Sequence, residues 1–259
     1  MKKILIATIL FLALCGSAFG TDFYTGVFGQ SNAHYGWSAN SYGGGGDTGT
    51  PDSHCSFSVD GTNWTATPYT AAISFCNTLH TAMPTTNIKV LMFGEDSSAL
   101  NSASVCQTMC NGYWLNTNST WWPSYQTAVN NAGGVLDANV FMQGETEGVW
   151  GDKGNYTTDL ESFFTQIRTG TGANTKIIIS GLNAYIDWTS WLAIRADQSA
   201  ACTADGSAKY VDMSDLGVGA IHYSATDNIT VGTRLATALV NELPVPPLQG
   251  CKITGGQVK

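Results

Sequence analysis

Phe23-Tyr24-Thr25-Gly26-Val27-Phe28 runs directly into Gly29-Gln30-Ser31-Asn32. The first six residues form a β-prone, largely apolar run bounded by glycine, the pattern of a buried strand. The next four place a serine on a glycine-flanked turn just past that strand. A hydroxyl held there stands at the sheet edge, where a nucleophile is useful. The ordinary role of such a serine is to cap a following helix. Two later pieces in the right order favour the nucleophile. Gln143-Gly144-Glu145-Thr146 follows another strand-like run, and His222 precedes the last helical segment.

Outward from this stretch, strand-like and helix-like segments alternate. The strands predicted are 23–28, 88–93, 139–142, 176–180 and 209–213. Helical periodicity covers 69–82, 123–132, 156–168, 189–200 and 226–241, with Leu160, Phe163, Phe164 and Ile167 as one apolar stripe. Alternation of this kind predicts an α/β fold with a mostly parallel five-stranded sheet covered on both faces. Such sheets carry their sites at the C-terminal strand ends, near the topological switch point. Ser31, Gly94, Glu145 and His222 all fall after strands. Two stretches break the pattern: the Gly/Ser/Thr/Asn-rich residues 36–68, and 111–122 with Tyr113, Trp114, Trp121 and Trp122. Gly43–Gly46 lacks the lysine and leading strand of a phosphate loop. Long loops shape clefts, and Trp121, Trp122 and Trp150 are the leading candidates for cleft walls.

Residues 1–20 read as a secretory signal, with Lys2-Lys3, an apolar stretch from Ile4 to Leu14, and Ala18-Phe19-Gly20 as the cleavage site. A lipid anchor on Cys15 is not expected, because Leu14 is bulky where a small residue is wanted. Residues 21–259 then form a single domain, secreted to the periplasm or the exterior. No segment is long enough for a membrane span. Beyond residue 20, nine basic residues against nineteen acidic ones leave a net charge of −10. That balance argues against nucleic acid as a partner. Cys55, Cys76, Cys106, Cys110, Cys202 and Cys251 behind a signal allow up to three disulfides. No cysteine pair is matched by a histidine pair at ligand spacing, so neither a metal nor another cofactor is expected.

Of the four histidines, His222 suits the base that a serine hydroxyl needs, since imidazole titrates near neutrality. His34 is the rival, placed by its closeness to Ser31 as a pocket residue. Glu145 and Glu147 are close enough to suggest a glycosidase pair. Two apart on a strand they point the same way, and nothing else supports that chemistry.

Together, Gly29-Gln30-Ser31-Asn32, Gln143-Gly144-Glu145-Thr146 and His222, followed by Gly232-Thr233-Arg234-Leu235-Ala236, resemble the SGNH hydrolases. The closest resemblance is to the carbohydrate acetylesterase branch of sialate O-acetylesterases and carbohydrate esterase family 6. It implies a three-layer α/β/α, flavodoxin-like fold and metal-free acyl transfer through an acetyl-serine. The substrate implied is an acetylated oligo- or polysaccharide. Ser31 is then the nucleophile and His222 the base. The Ser31 amide, Gly94 and Gln143 are oxyanion donors, with Gln30 and Asn32 beside them. The family usually carries an aspartate three residues before the histidine; here that position is Gly219. In part of the family the glutamate of Gln143-Gly144-Glu145-Thr146, the family's third block, takes its place, which makes Glu145 the third member, with Asp212 and Asp215 as alternatives. Gly219 also motivates a rival reading, a non-catalytic carbohydrate-binding protein on a decayed esterase scaffold.

Overall fold

A computed structural model of the chain describes residues 21–39, 49–101, 110–115, 119–151, 155–186 and 188–243. The signal segment 1–20, Gly43–Gly46, Cys106 and Cys251 lie outside them.

Six parallel strands form one sheet: β1 (Asp22–Gly29), β2 (Cys55–Ser58), β3 (Asn87–Gly94), β4 (Ala138–Met142), β5 (Lys176–Ser180) and β6 (Ala208–Val211), in the order β2-β3-β1-β4-β5-β6. The sequence predicts five; the sixth is β2. It is a four-residue edge strand whose Cys-Ser-Phe-Ser buries one large side chain, Phe57, and so shows no apolar run. β1 is central. It pairs with β3 from Asp22↔Asn87 to Gly29↔Gly94, and with β4 from Thr25↔Ala138 to Gly29↔Met142. The chain builds outward from β1 on one side through β3 and on the other through β4, so the switch point lies at the end of β1.

Helices cover both faces. On one lie α1 (Thr70–Ala82) and α6 (Ala225–Glu242). They bury Phe75, Leu79, Val231, Leu235 and Leu239 against Val27, Val90, Met92 and Val140. At Gly232 a Cβ would lie 2.2 Å from the Ala71 carbonyl oxygen, so glycine lets these two helices touch. On the other face lie α2 (Trp122–Asn131), α4 (Tyr156–Thr171) and α5 (Thr189–Asp205). They enclose Phe28, Leu91, Phe141 and Ile177. Each such fully buried side chain contributes about 1.5–3 kcal/mol. Phe28 stacks on Tyr125 at 4.1 Å and contacts Trp114, Trp122 and Phe163. Trp114 and Trp122 are therefore core, not cleft walls, because they fill the space over the central strand. Trp150, at the end of the short helix α3 (Glu145–Trp150), is about half exposed.

A disulfide joins Cys55 of β2 to Cys76 of α1. Cys110 is also disulfide-bonded. Cys202 is a free thiol, pushed up to about 12 by burial and the Asp205 charge, so the even cysteine count does not resolve into three bridges.

Candidate active site

At the end of β1 the chain must turn without room for a side chain. Gly29 has φ +137°, and a Cβ there would lie 2.1 Å from the Met142 carbonyl oxygen. The next amide, Gln30, donates to that oxygen at 2.7 Å. The chain then closes a single 3-10 turn, Ser31–Ala33, with Ala33 N bonded to the Gln30 carbonyl at 2.8 Å and His34 N to that of Ser31 at 3.0 Å. Gly94 supports the turn from below: a Cβ there would lie 2.4 Å from His34 N. Its neighbour Glu95 donates its amide to the Gly29 carbonyl at 2.9 Å. Ser31 thus sits on a rigid elbow at the switch point.

His222 lies in the loop between β6 and α6, and its Nε2 is 2.9 Å from Ser31 Oγ. Two asparagines fix that loop. Asn183 Nδ2 donates to the carbonyls of Ala220 and Ile221 at 2.9 and 3.0 Å. Asn32 grips both neighbours of His222, donating Nδ2 to the Ile221 carbonyl at 3.0 Å and accepting from Tyr223 N at 3.4 Å. Just downstream, Ser224 and Asp227 form a reciprocal capping box that starts α6.

The third block lies across the elbow. Gly144, at φ +129°, turns the chain from β4 into α3. Glu145 and Glu147 are on a helix, not a strand, and so point ~200° apart. Glu145 Oε1 accepts from Asn32 Nδ2 at 2.6 Å, and its buried Oε2 has no partner among the described residues. Burial pushes its carboxyl above the usual range, against the pull of the Asn32 hydrogen bond. Glu147 accepts from Leu100 N at 2.6 Å and from Gln143 Nε2 at 2.5 Å. Gln143 also donates to the Ser98 carbonyl at 3.4 Å, while its Oε1 accepts from Tyr156 Oη at 2.9 Å. Its amide hydrogens are directed into the protein. Gln30 Oε1 accepts from Thr146 N at 3.1 Å, binding the first block to the third.

Asp215 forms a two-pronged pair with Arg234, at 2.6 Å on each arm, and Asp212 accepts from Ser214 N and Oγ. An acid whose charge bears on His222 is Asp96, which sequence reasoning passed over inside Gly94-Glu95-Asp96-Ser97-Ser98. Burial lowers the His222 pKa, and the Asp96 charge pulls it partly back. Asp96 accepts from Tyr35 Oη at 2.9 Å and contacts His34 Nδ1 at 3.1 Å, while the Tyr35 ring meets the His222 ring edge-on at 5.1 Å. The turn carrying Asp96 includes Ser97 at φ +57°, the one described non-glycine residue with positive φ. Strain of that kind costs ~1–3 kcal/mol and gathers at functional sites. A serine hydroxyl bonded to a mostly neutral imidazole on a rigid turn can attack an ester carbonyl.

An apolar cavity of about 880 Å³ lies elsewhere, between Phe23, Met83, Leu136, Val240 and Leu243 at the N-terminal strand ends. Its polar lining is Asp137, Asn174, Thr175, Lys176 and Asn241, at the end of the sheet opposite Ser31.

The protein from Arabidopsis thaliana whose structure was solved at 1.6 Å aligns over 86% of this chain and 98% of its own, with TM-score 0.64 and 14% identity. A carbohydrate acetylesterase from Xanthomonas citri aligns over 83% of this chain and 55% of its own, with TM-score 0.61 and 15% identity. The aryl esterase of M. smegmatis aligns over 86% and 100%, with TM-score 0.55 and 17% identity. At these identities the likeness is one of fold. Among curated proteins none matches. The family described as "carbohydrate esterase, sialic acid-specific acetylesterase" matches residues 96–241. That stretch holds Asp96, the third block and His222, and leaves out the Ser31 elbow. Since it spans more than half of the 259 residues, the chain belongs to the carbohydrate esterase, sialic acid-specific acetylesterase family.

Proposed function

We propose that this carbohydrate esterase is a secreted serine O-acetylesterase that removes acetyl groups from acetylated sugars through an acetyl-serine. The observation that carries the reading is the 2.9 Å approach of His222 Nε2 to Ser31 Oγ. His222 takes the Ser31 proton as Oγ attacks the acetyl carbonyl carbon. The tetrahedral intermediate collapses, and the sugar oxygen leaves with the proton from His222. Water, deprotonated by His222, then cleaves the acetyl-serine and releases acetate. The Ser31 and Gly94 amides are the proposed oxyanion donors, each contributing about 3 kcal/mol to the transition state. Gln143 serves by holding Glu147 and Ser98 in place. Glu145 acts as a positioning acid through Asn32, and Asp96 favours the imidazolium that forms. Secretion fits the Cys55–Cys76 disulfide, which persists in oxidising compartments.

The test is acetate release from 4-nitrophenyl acetate and acetylated xylan by the wild-type chain and Ser31→Ala. Release falling about 10³-fold or more in the variant supports the reading. Equal release by both, or none from a folded wild-type sample, refutes it and leaves the non-catalytic glycan binder.

A further inference from the structure

We propose that Asp52, His54 and His80 form a binding site for a divalent first-row transition-metal ion of the zinc class, remote from Ser31. The three offer one ligand atom each, all within 4.8 Å of one another. Asp52 Oδ1 is 3.0 Å from His54 Nδ1 and 3.5 Å from His80 Nε2. Donors held at ~2.0–2.1 Å around a tetrahedral zinc lie ~3.3–3.4 Å apart, so these separations bracket the required value.

The site is built by the fold. Cys76 and His80 are four apart on α1 and share a face of that helix. The disulfide from Cys76 reaches Cys55, the residue next to His54. It therefore brings the His54 segment alongside His80. Asp52 is fixed independently: its amide donates to Asn77 Oδ1 of α1 at 2.8 Å, and its Oδ1 accepts from His54 N at 2.9 Å. His80 is mostly enclosed, with 12% of its side chain exposed, whereas His54 is 46% exposed. The ensemble is an enclosed imidazole, a fixed carboxylate and one half-exposed imidazole, which leaves the fourth position of a bound ion open to solvent.

Two nitrogens and one oxygen suit Zn²⁺, Cu²⁺ or Ni²⁺ and not Ca²⁺ or Mg²⁺, which take oxygen ligands. The two imidazole rings stack at 4.3 Å with 10° between their planes. Parallel rings direct their in-plane lone pairs side by side, so metal binding turns the exposed His54 ring toward Asp52 and His80. The site stands near the start of β3, since Ile88 N donates to the His54 carbonyl at 2.8 Å. The six steps from Ile88 to Gly94 span about 20 Å, which separates this metal from the serine chemistry.

The experiment uses the tag-free chain, stripped of metal with EDTA and dialysed, then titrated with ZnCl₂ in a calorimeter and followed by thermal melting. Expected are one zinc per chain, a higher Tm with zinc, and no shift with MgCl₂. His54→Ala, on an exposed loop, should keep its circular dichroism spectrum and bind more than about ten-fold more weakly, as loss of even an outer-shell partner does. His80→Gln should behave likewise, and Ser31→Ala should bind zinc normally. No zinc binding by the wild-type chain, or binding unchanged in both histidine variants, overturns the proposal and leaves a hydrogen-bonded ion cluster only.

Discussion

Asn32 Nδ2 lies 2.6 Å from Glu145 Oε1 and 3.0 Å from the Ile221 carbonyl, so one side-chain amide joins a buried carboxylate to the residue before His222. If Glu145 works through this link, a neutral acceptor can replace it. Glu145→Gln should then keep kcat within about ten-fold, whereas replacing an acid that directly orients the histidine costs about 10⁴-fold. Glu145→Leu leaves one Asn32 amide hydrogen unsatisfied, at about 1–3 kcal/mol, and should lower kcat far more than Gln. Burial raises the Glu145 pKa, so the folded state holds its proton more tightly than the unfolded state. Wild-type stability is thus lost as pH rises above the ordinary glutamate value, and Glu145→Gln should gain on the wild type in that direction. Steady-state kinetics and urea melts across pH check both statements.

The acid limb of the kcat/KM profile should lie below the ordinary histidine value of ~6.5, because burial lowers the His222 pKa. Asp96 opposes that shift. Asp96→Asn should therefore move the limb to still lower pH, and should lower the plateau because the imidazolium loses a countercharge. A limb that moves upward would exclude this role for Asp96.

Gly29→Ala and Gly219→Ala should differ sharply, though both glycines have positive φ. At Gly29 the added Cβ meets the Met142 carbonyl; at Gly219 it meets nothing within 4 Å. Gly219→Ala should cost only the left-handed strain, ~1–2 kcal/mol. Gly29→Ala must also part β1 from β4, so its loss in urea melts should exceed about 3 kcal/mol. Its activity should fall even where it still folds.

The parts of the fold legible in the sequence are those whose own composition carries the signal. β1 reads from Phe23–Phe28 and α4 from the Leu160, Phe163, Phe164 and Ile167 stripe, because both bury continuous apolar faces. α3 is invisible in Glu-Thr-Glu-Gly-Val-Trp, since its buried carboxylates take hydrogen bonds from Asn32 and Leu100, which lie far away in the chain. The same holds for the site. Ser31 stands at a strand end and His222 just before the last helix, places that local pattern can mark. Asp96 acquires its place only when the 3-10 turn brings His34 and Tyr35 over it, and Asn183 only when it meets the loop carbonyls. Trp122 reads as a binding aromatic because sequence cannot tell a ring over the central strand from one at its rim.

Ser31 and His222 are 191 positions apart, one supplied by the first strand and the other by the loop that starts the last helix. On the proposed roles, the nucleophile is synthesised early and stays without its base until α6 docks beside α1. A chain threaded, truncated or held open has no reactive centre to damage its surroundings. Turnover in this enzyme is in effect a report that both ends of the fold have closed.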